Sequence, residues 1–145
     1  MTDNNQVFVD SDFWVGYYLE FDAHHQTTLP AMQKFKEQGK QLVLSSLVVG
    51  ETMTVLSHKD GQSTARGFYR DIQRSGIPVY FVDEALDQTA KKIFIAEDKK
   101  GMSYVDCANV AVMRAFGIDQ IYAFDTIYHK KFGLKNLAYQ MEKVA

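Results

Sequence analysis

Four short runs rich in β-branched and aromatic side chains recur along the chain: Val7 to Val9, Gln41 to Leu44, Ile77 to Val82 and Gln120 to Phe124. Runs of this length and composition read as buried strands, and each gives way to sequence of helical character. This alternation constrains the fold more than any other feature, because parallel neighbours need a long crossover that a helix normally supplies. The prediction is an α/β fold: a doubly wound parallel sheet of four or five strands with helices on both faces. Asn136 to Ala138 is expected as a brief last strand at the edge.

The intervening segments place the helices. Ser11 to Glu20 and Ala31 to Gln38 read as helical, with Pro30 suited to a first turn and Gly39 as the stop. Ser46 to Ser57 and Ser63 to Arg74 form a pair broken at Lys59, Asp60 and Gly61, and Ser75 and Gly76 end the second member. Glu84 to Lys99 and Tyr104 to Phe116 form another pair, interrupted at Gly101. With 145 residues, 46% of them hydrophobic, and no repeat, low-complexity tract or linker, residues 1–145 are expected to be one domain around one core.

A formal net charge of −2 offers no global field for gathering a polyanion, so any contact with nucleic acid has to come from local patches or bound cations. Cys107 is the only cysteine; it allows no intramolecular disulfide and is expected as a small buried apolar side chain. The opening MTDNNQVFVD lacks the cationic and apolar regions of a signal peptide, and no apolar run reaches the ~20 residues of a membrane span. A soluble, cytoplasmic protein is the expectation.

The chemistry is carried by acids. Asp10 directly follows Val7-Phe8-Val9, and Asp125 directly follows Ile121-Tyr122-Ala123-Phe124, so both are expected at carboxyl ends of strands. Ligands of open parallel sheets bind outside those ends, where the strand order reverses. Either aspartate alone also reads as a helix cap. Glu51 lies in the apolar run Leu47-Val48-Val49-Gly50-Glu51-Thr52-Met53, about one turn past Ser46 or Leu47, with a capping role beside Ser45 or Ser46 as the alternative. Asp106 has capping-box spacing to Ser103 at the head of an almost wholly apolar helix. Asn109, one turn on, either supports the site from behind or packs within the helix, and packing is the preferred reading.

Four carboxylates converging in a low-dielectric cleft repel one another, and a divalent cation relieves that repulsion. Oxygen-only ligands select Mg²⁺ or Mn²⁺ over zinc, and no His/Cys cluster competes for the role. Such a centre suits phosphoryl chemistry. In this reading Asp10 and Asp125 anchor the main ion, and Glu51 and Asp106 complete its shell directly or through water.

The pieces VFVDSDFW, LSSLVVGET, SYVDCANVAVMRAFG and IYAFDTIYHKKFGL, in that order through almost the whole chain, resemble the PIN domain, and more narrowly the VapC-type toxins of toxin–antitoxin pairs. The resemblance implies strand order 3-2-1-4-5, with Asp10 and Asp125 on strands flanking the switch point. It also implies a Mg²⁺- or Mn²⁺-dependent endoribonuclease acting on RNA, often a homodimer, held in check by a small antitoxin. Asp12 stands where many relatives have Asn; as a metal ligand it would enlarge the acidic set, and as a cap it would serve the first helix, which is the preferred reading.

Other features are weaker. Lys91, Lys92, Lys99, Lys100, Lys130 and Lys131 either rim the cleft or form a solvated face. Arg66, Arg70 and Arg74 share one helical face that could grip phosphates or an acidic partner. Phe13, Trp14, Tyr17, Tyr18 and Phe21 are expected mainly in the core, with a partner surface as the alternative. His129 is expected at the surface. Two rival functions remain: a haloacid-dehalogenase-type phosphatase built on Asp10 and Asp12, which would leave Glu51 and Asp106 without a task, and a stand-alone RNA-processing or non-catalytic PIN-like binding module.

Overall fold

The computed structural model describes residues 5–98 and 101–142. The elements run β1 (Gln6–Val9), α1 (Ser11–Tyr18), α2 (His25–Glu37), β2 (Gln41–Ser45), α3 (Ser46–Asp60), α4 (Gln62–Ser75) and β3 (Val79–Tyr80). They continue with α5 (Glu84–Ile95), α6 (Tyr104–Phe116), β4 (Gln120–Tyr122), α7 (Ile127–Phe132), β5 (Lys135–Asn136) and α8 (Leu137–Glu142).

Among the described residues, five strands form one sheet in the order β3-β2-β1-β4-β5. Every pairing is parallel, with Phe8 opposite both Val43 and Ile121. Val7, Phe8 and Val9 are buried in succession, as are Leu42, Val43 and Leu44, which a strand covered on both faces requires. The chain winds outward through β2 and β3, then returns to place β4 on the other side of β1. The switch point therefore lies between β1 and β4.

The aromatic first helix faces inward. Phe13 is buried with its ring 6.0 Å from Phe35 and 5.0 Å from Tyr122. Trp14 is buried, Tyr17 and Tyr18 are half-buried, and only Phe21 of that group is exposed. Helix α2 approaches α1 closely at Gly16, where a Cβ would come within 3.2 Å of His24 Cβ and Thr28 Cγ2.

Several boundaries differ from the sequence reading for local reasons. Helix α2 starts at His25, where the Asp22 carboxylate accepts the His24 N–H at 2.9 Å, so Pro30 lies inside the helix rather than in its first turn. The expected strand Ile77 to Val82 shrinks to Val79–Tyr80, because the Val82 N–H is taken by Ser46 Oγ at 3.0 Å and leaves the ladder. Helix α5 stops at Ile95, and Lys99 and Lys100 lie outside the described residues. The last strand is Lys135–Asn136 rather than Asn136 to Ala138, since the Asn136 side chain accepts the Ala123 and Ala138 N–H groups, both at 3.2 Å, and the chain turns into α8. Among the described residues no helix is long and apolar enough to cross a membrane.

Candidate active site

Asp10 leaves β1 and caps α1, its Oδ1 accepting the Ser11 N–H at 2.8 Å. It is 6% exposed. Asp106 enters from α6, where Ser103 and Asp106 form the expected capping box: Ser103 Oγ accepts the Asp106 N–H at 3.0 Å, and Asp106 Oδ2 accepts the Ser103 N–H at 3.1 Å. That leaves Asp106 Oδ1 free to face the sheet edge, and it meets the Tyr128 hydroxyl at 3.0 Å. The same hydroxyl lies 3.1 Å from Asp10 Oδ2. Two acids remote in sequence thus converge on one oxygen beside the switch point.

Asn109 completes this knot. Its side-chain amide donates to Asp10 Oδ1 at 3.3 Å and to the Tyr128 hydroxyl at 3.0 Å, so it supports Asp10 rather than simply packing within α6. Glu51 lies on α3, whose cap is Ser45, accepting the Val48 N–H at 3.1 Å; Glu51 takes no part in that cap. It accepts instead from Ser11 Oγ, the neighbour of Asp10.

Asp125 lies beyond the paired residues of β4, separated from them by Ala123 and Phe124, and its Oδ1 accepts the Ile127 N–H at 2.9 Å to open α7. It is exposed and joins the others through Asp12. Asp12 is not the cap of α1, which is Asp10. Its Oδ2 accepts the Phe124 N–H at 3.0 Å and ties α1 to the segment that carries Asp125, while its Oδ1 is buried without a partner.

The electrostatics follow from burial. Desolvation, then the charge of Asp12, push the Asp10 carboxyl up to about 8, against the opposing Ser11 N–H; Asp106 raises it further and the Tyr128 hydroxyl opposes. Burial likewise lifts Asp12 to about 6, resisted by the Phe124 and Phe13 N–H groups and supported by the charge of Asp125. Tyr128 is held well above its ordinary range by burial and by the charges of Asp10 and Asp106. Among the described residues no lysine or arginine pairs with Asp10, Glu51, Asp106 or Asp125; the ion pairs there are Lys91 with Asp87 and Lys131 with Glu97.

An uncompensated acidic knot made of oxygen donors, with Asp12 Oδ1 and Asn109 Oδ1 buried and unpartnered, fits a hard divalent cation. Among the described residues, no three acidic, histidine or cysteine side chains already close on one point as a complete ligand set. Asp10 and Asp106 are the pair brought together directly; Glu51 reaches them through Ser11 and Asp125 through Asp12.

Residues 7–133 match the family model of the PIN domain. The chain belongs to the PIN-domain family. It is 31% identical over 119 residues to the 23S rRNA-specific endonuclease VapC20 of two Mycobacterium tuberculosis strains, an alignment that covers 82% of this chain and 88% of theirs. The crystal structure of Mycobacterium tuberculosis VapC20, described as a sarcin–ricin loop cleaving toxin, superposes with a TM-score of 0.76 at 30% identity. That match covers 88% of this chain and 95% of VapC20.

In this PIN domain, sequence reasoning missed Ser11 and Tyr128. Ser11 offered a weak signal, a hydroxyl beside a strand-end aspartate; Tyr128 offered none, since its contacts are made across the fold. His129 is half-buried, with Nδ1 3.3 Å from Asn136 Nδ2 and its ring 4.6 Å from Tyr139, so it braces the β5 turn. Cys107 is buried as expected.

Proposed function

We propose that this PIN domain is a Mg²⁺- or Mn²⁺-dependent endoribonuclease, the toxin of a toxin–antitoxin pair, working as a single-domain homodimer restrained by a small antitoxin protein. The observation that carries the metal site is the convergence of Asp10 Oδ2 and Asp106 Oδ1 on one hydroxyl, with Glu51 linked to Asp10 through Ser11 and Asp125 through Asp12, and with no basic side chain paired to any of them among the described residues. The RNA substrate is supported by the 31% identity to an rRNA-specific endonuclease over most of both chains.

Asp10 and Asp106 would hold the ion, and Glu51 and Asp125 would complete its surroundings directly or through water. What the ion supplies when bound is an activated water and neutralisation of the charge that builds on the phosphate. The protein contributes orientation. The Ser11 hydroxyl holds Glu51 towards Asp10, the Ser103 N–H turns Asp106 so that one oxygen remains free, and the Asp12 carboxylate ties Phe124 and hence the approach of Asp125. The phosphatase reading loses its acid pair here, because Asp12 is spent on the Phe124 backbone and Asp10 is buried beneath Tyr128 and Asn109.

The test is cleavage of a 23S rRNA fragment containing the sarcin–ricin loop, and of unstructured RNA, by the purified protein. Cutting of at least one substrate with Mn²⁺, its loss in excess EDTA, and a drop of about 100-fold or more for Glu51→Gln are expected. Undiminished cutting in EDTA would overturn the proposal, and Mn²⁺ binding with no cleavage of any RNA would favour a non-catalytic binding module.

A further inference from the structure

Tyr128 is fully buried, and a phenylalanine would fill the same volume without bringing a hydroxyl into a desolvated acidic site. The hydroxyl therefore has to be accounted for by what it holds. A phenol offers one proton and two lone pairs. Asn109 Nδ2, 3.0 Å away, donates to one lone pair, so a single proton faces both Asp10 Oδ2 at 3.1 Å and Asp106 Oδ1 at 3.0 Å.

The other oxygen of each acid is already engaged. Asp10 Oδ1 accepts from the Ser11 N–H and from Asn109, and Asp106 Oδ2 accepts from the Ser103 N–H. The two oxygens that remain for a cation are the two that Tyr128 touches. Each keeps a further lone pair for a metal while the first points at the hydroxyl.

We propose that Tyr128 is a positioning residue of the metal site: its hydroxyl, anchored by Asn109, holds Asp10 Oδ2 and Asp106 Oδ1 in register so that both are presented together to one divalent cation. This rests on reading the site as the centre of a metal-dependent nuclease. Without the hydroxyl, no shared hydrogen bond holds Asp10 Oδ2 and Asp106 Oδ1 side by side before the ion arrives, and the two repel each other as Asp10 gives up its proton to the incoming ion. Outer partners that orient metal-binding carboxylates act in this way.

The experiment compares the metal-free wild-type chain with Tyr128→Phe, Asn109→Ala and Asp10→Asn, using calorimetric titration with Mn²⁺ alone. Tyr128→Phe is expected to weaken Mn²⁺ binding by about tenfold, and Asn109→Ala to weaken it in the same direction. Its RNA cleavage should recover towards the wild-type rate as Mn²⁺ is raised, with the KM for RNA unchanged; a residue that served only packing would not be rescued by metal. Equal or tighter Mn²⁺ binding by Tyr128→Phe overturns the proposal, and if that variant does not fold, wild-type affinity in Asn109→Ala does so. If Asp10→Asn loses Mn²⁺ while Tyr128→Phe binds like wild type, only the positioning role falls. If Asp10→Asn binds Mn²⁺ like wild type, the reading of the site falls and takes this proposal with it.

Discussion

Asp10→Asn should stabilise the metal-free protein, and the gain should grow with pH. Asp10 is 6% exposed, and its carboxyl is pushed from 3.8 up to about 8 by burial and by Asp12 and Asp106. Between those pH values the unfolded chain has released this proton and the folded chain keeps it, so raising the pH favours unfolding. At about 1.4 kcal/mol for each tenfold change, the full excursion is worth up to about 6 kcal/mol. Water penetration and the partial titration of Asp12 reduce this to about 2–4 kcal/mol between pH 5 and pH 8. An asparagine amide mimics the neutral acid: its oxygen accepts from the Ser11 N–H and Asn109, and its nitrogen donates to Tyr128, which remains free to donate to Asp106. In excess EDTA at pH 8, scanning calorimetry should therefore find the variant melting about 10 °C above wild type, with the gap closing towards pH 5. Added Mn²⁺ should raise the melting temperature of the wild type alone. A variant that melts at or below wild type at pH 8, or a gap independent of pH, would refute the reasoning.

Three further outcomes are expected. Asp12→Asn keeps an acceptor for the Phe124 N–H but removes the charge that ranks second in raising Asp10, so the chelated variant should lose less stability than wild type as the pH rises from about 5 to about 8 in a calorimetric pH series; an unchanged pH dependence would contradict the electrostatic account. Ser103→Ala removes the cap of α6 and should cost about 1 kcal/mol in urea unfolding, with no loss beyond a few tenths counting against the capping box. Asn136→Ala leaves the Ala123 and Ala138 backbone groups unpaired in a buried turn and should cost about 2–3 kcal/mol; a near-neutral result would show that water replaces the side chain there.

Strands β1, β2 and β4 were legible because a central parallel strand must be apolar on both faces, and Val7 to Val9, Leu42 to Leu44 and Gln120 to Tyr122 are buried without interruption. Strand β3 was overestimated because its ends are decided by a serine on another element, Ser46, and not by its own composition. Helices α7 and α8 carry too few residues to show a period, and the turn before α8 is shaped by the Asn136 side chain. Asp10, Glu51, Asp106 and Asp125 stood out in the sequence as candidates because local grammar marks them, an acid after a strand, an acid inside an apolar helix, and a capping box, and of the four the fold brings Asp10 and Asp106 together directly. Ser11 and Asn109 left only weak local signals and Tyr128 none, because all three act across the fold; packing was preferred over support for Asn109 because its partner Asp10 enters from β1. The resemblance to the PIN domain supplied the strand order that local patterns alone left open, and the sheet has that order.

The most direct test of the shared metal site is the single-turnover rate of RNA cleavage across a Mn²⁺ series, measured for wild type, Asp10→Asn and Asp106→Asn. If Asp10 and Asp106 hold the catalytic ion together, each substitution lowers the rate by orders of magnitude at moderate Mn²⁺ while circular dichroism stays native, and EDTA abolishes wild-type cleavage. Wild-type rates from either folded variant, or full cleavage in excess EDTA, would contradict it.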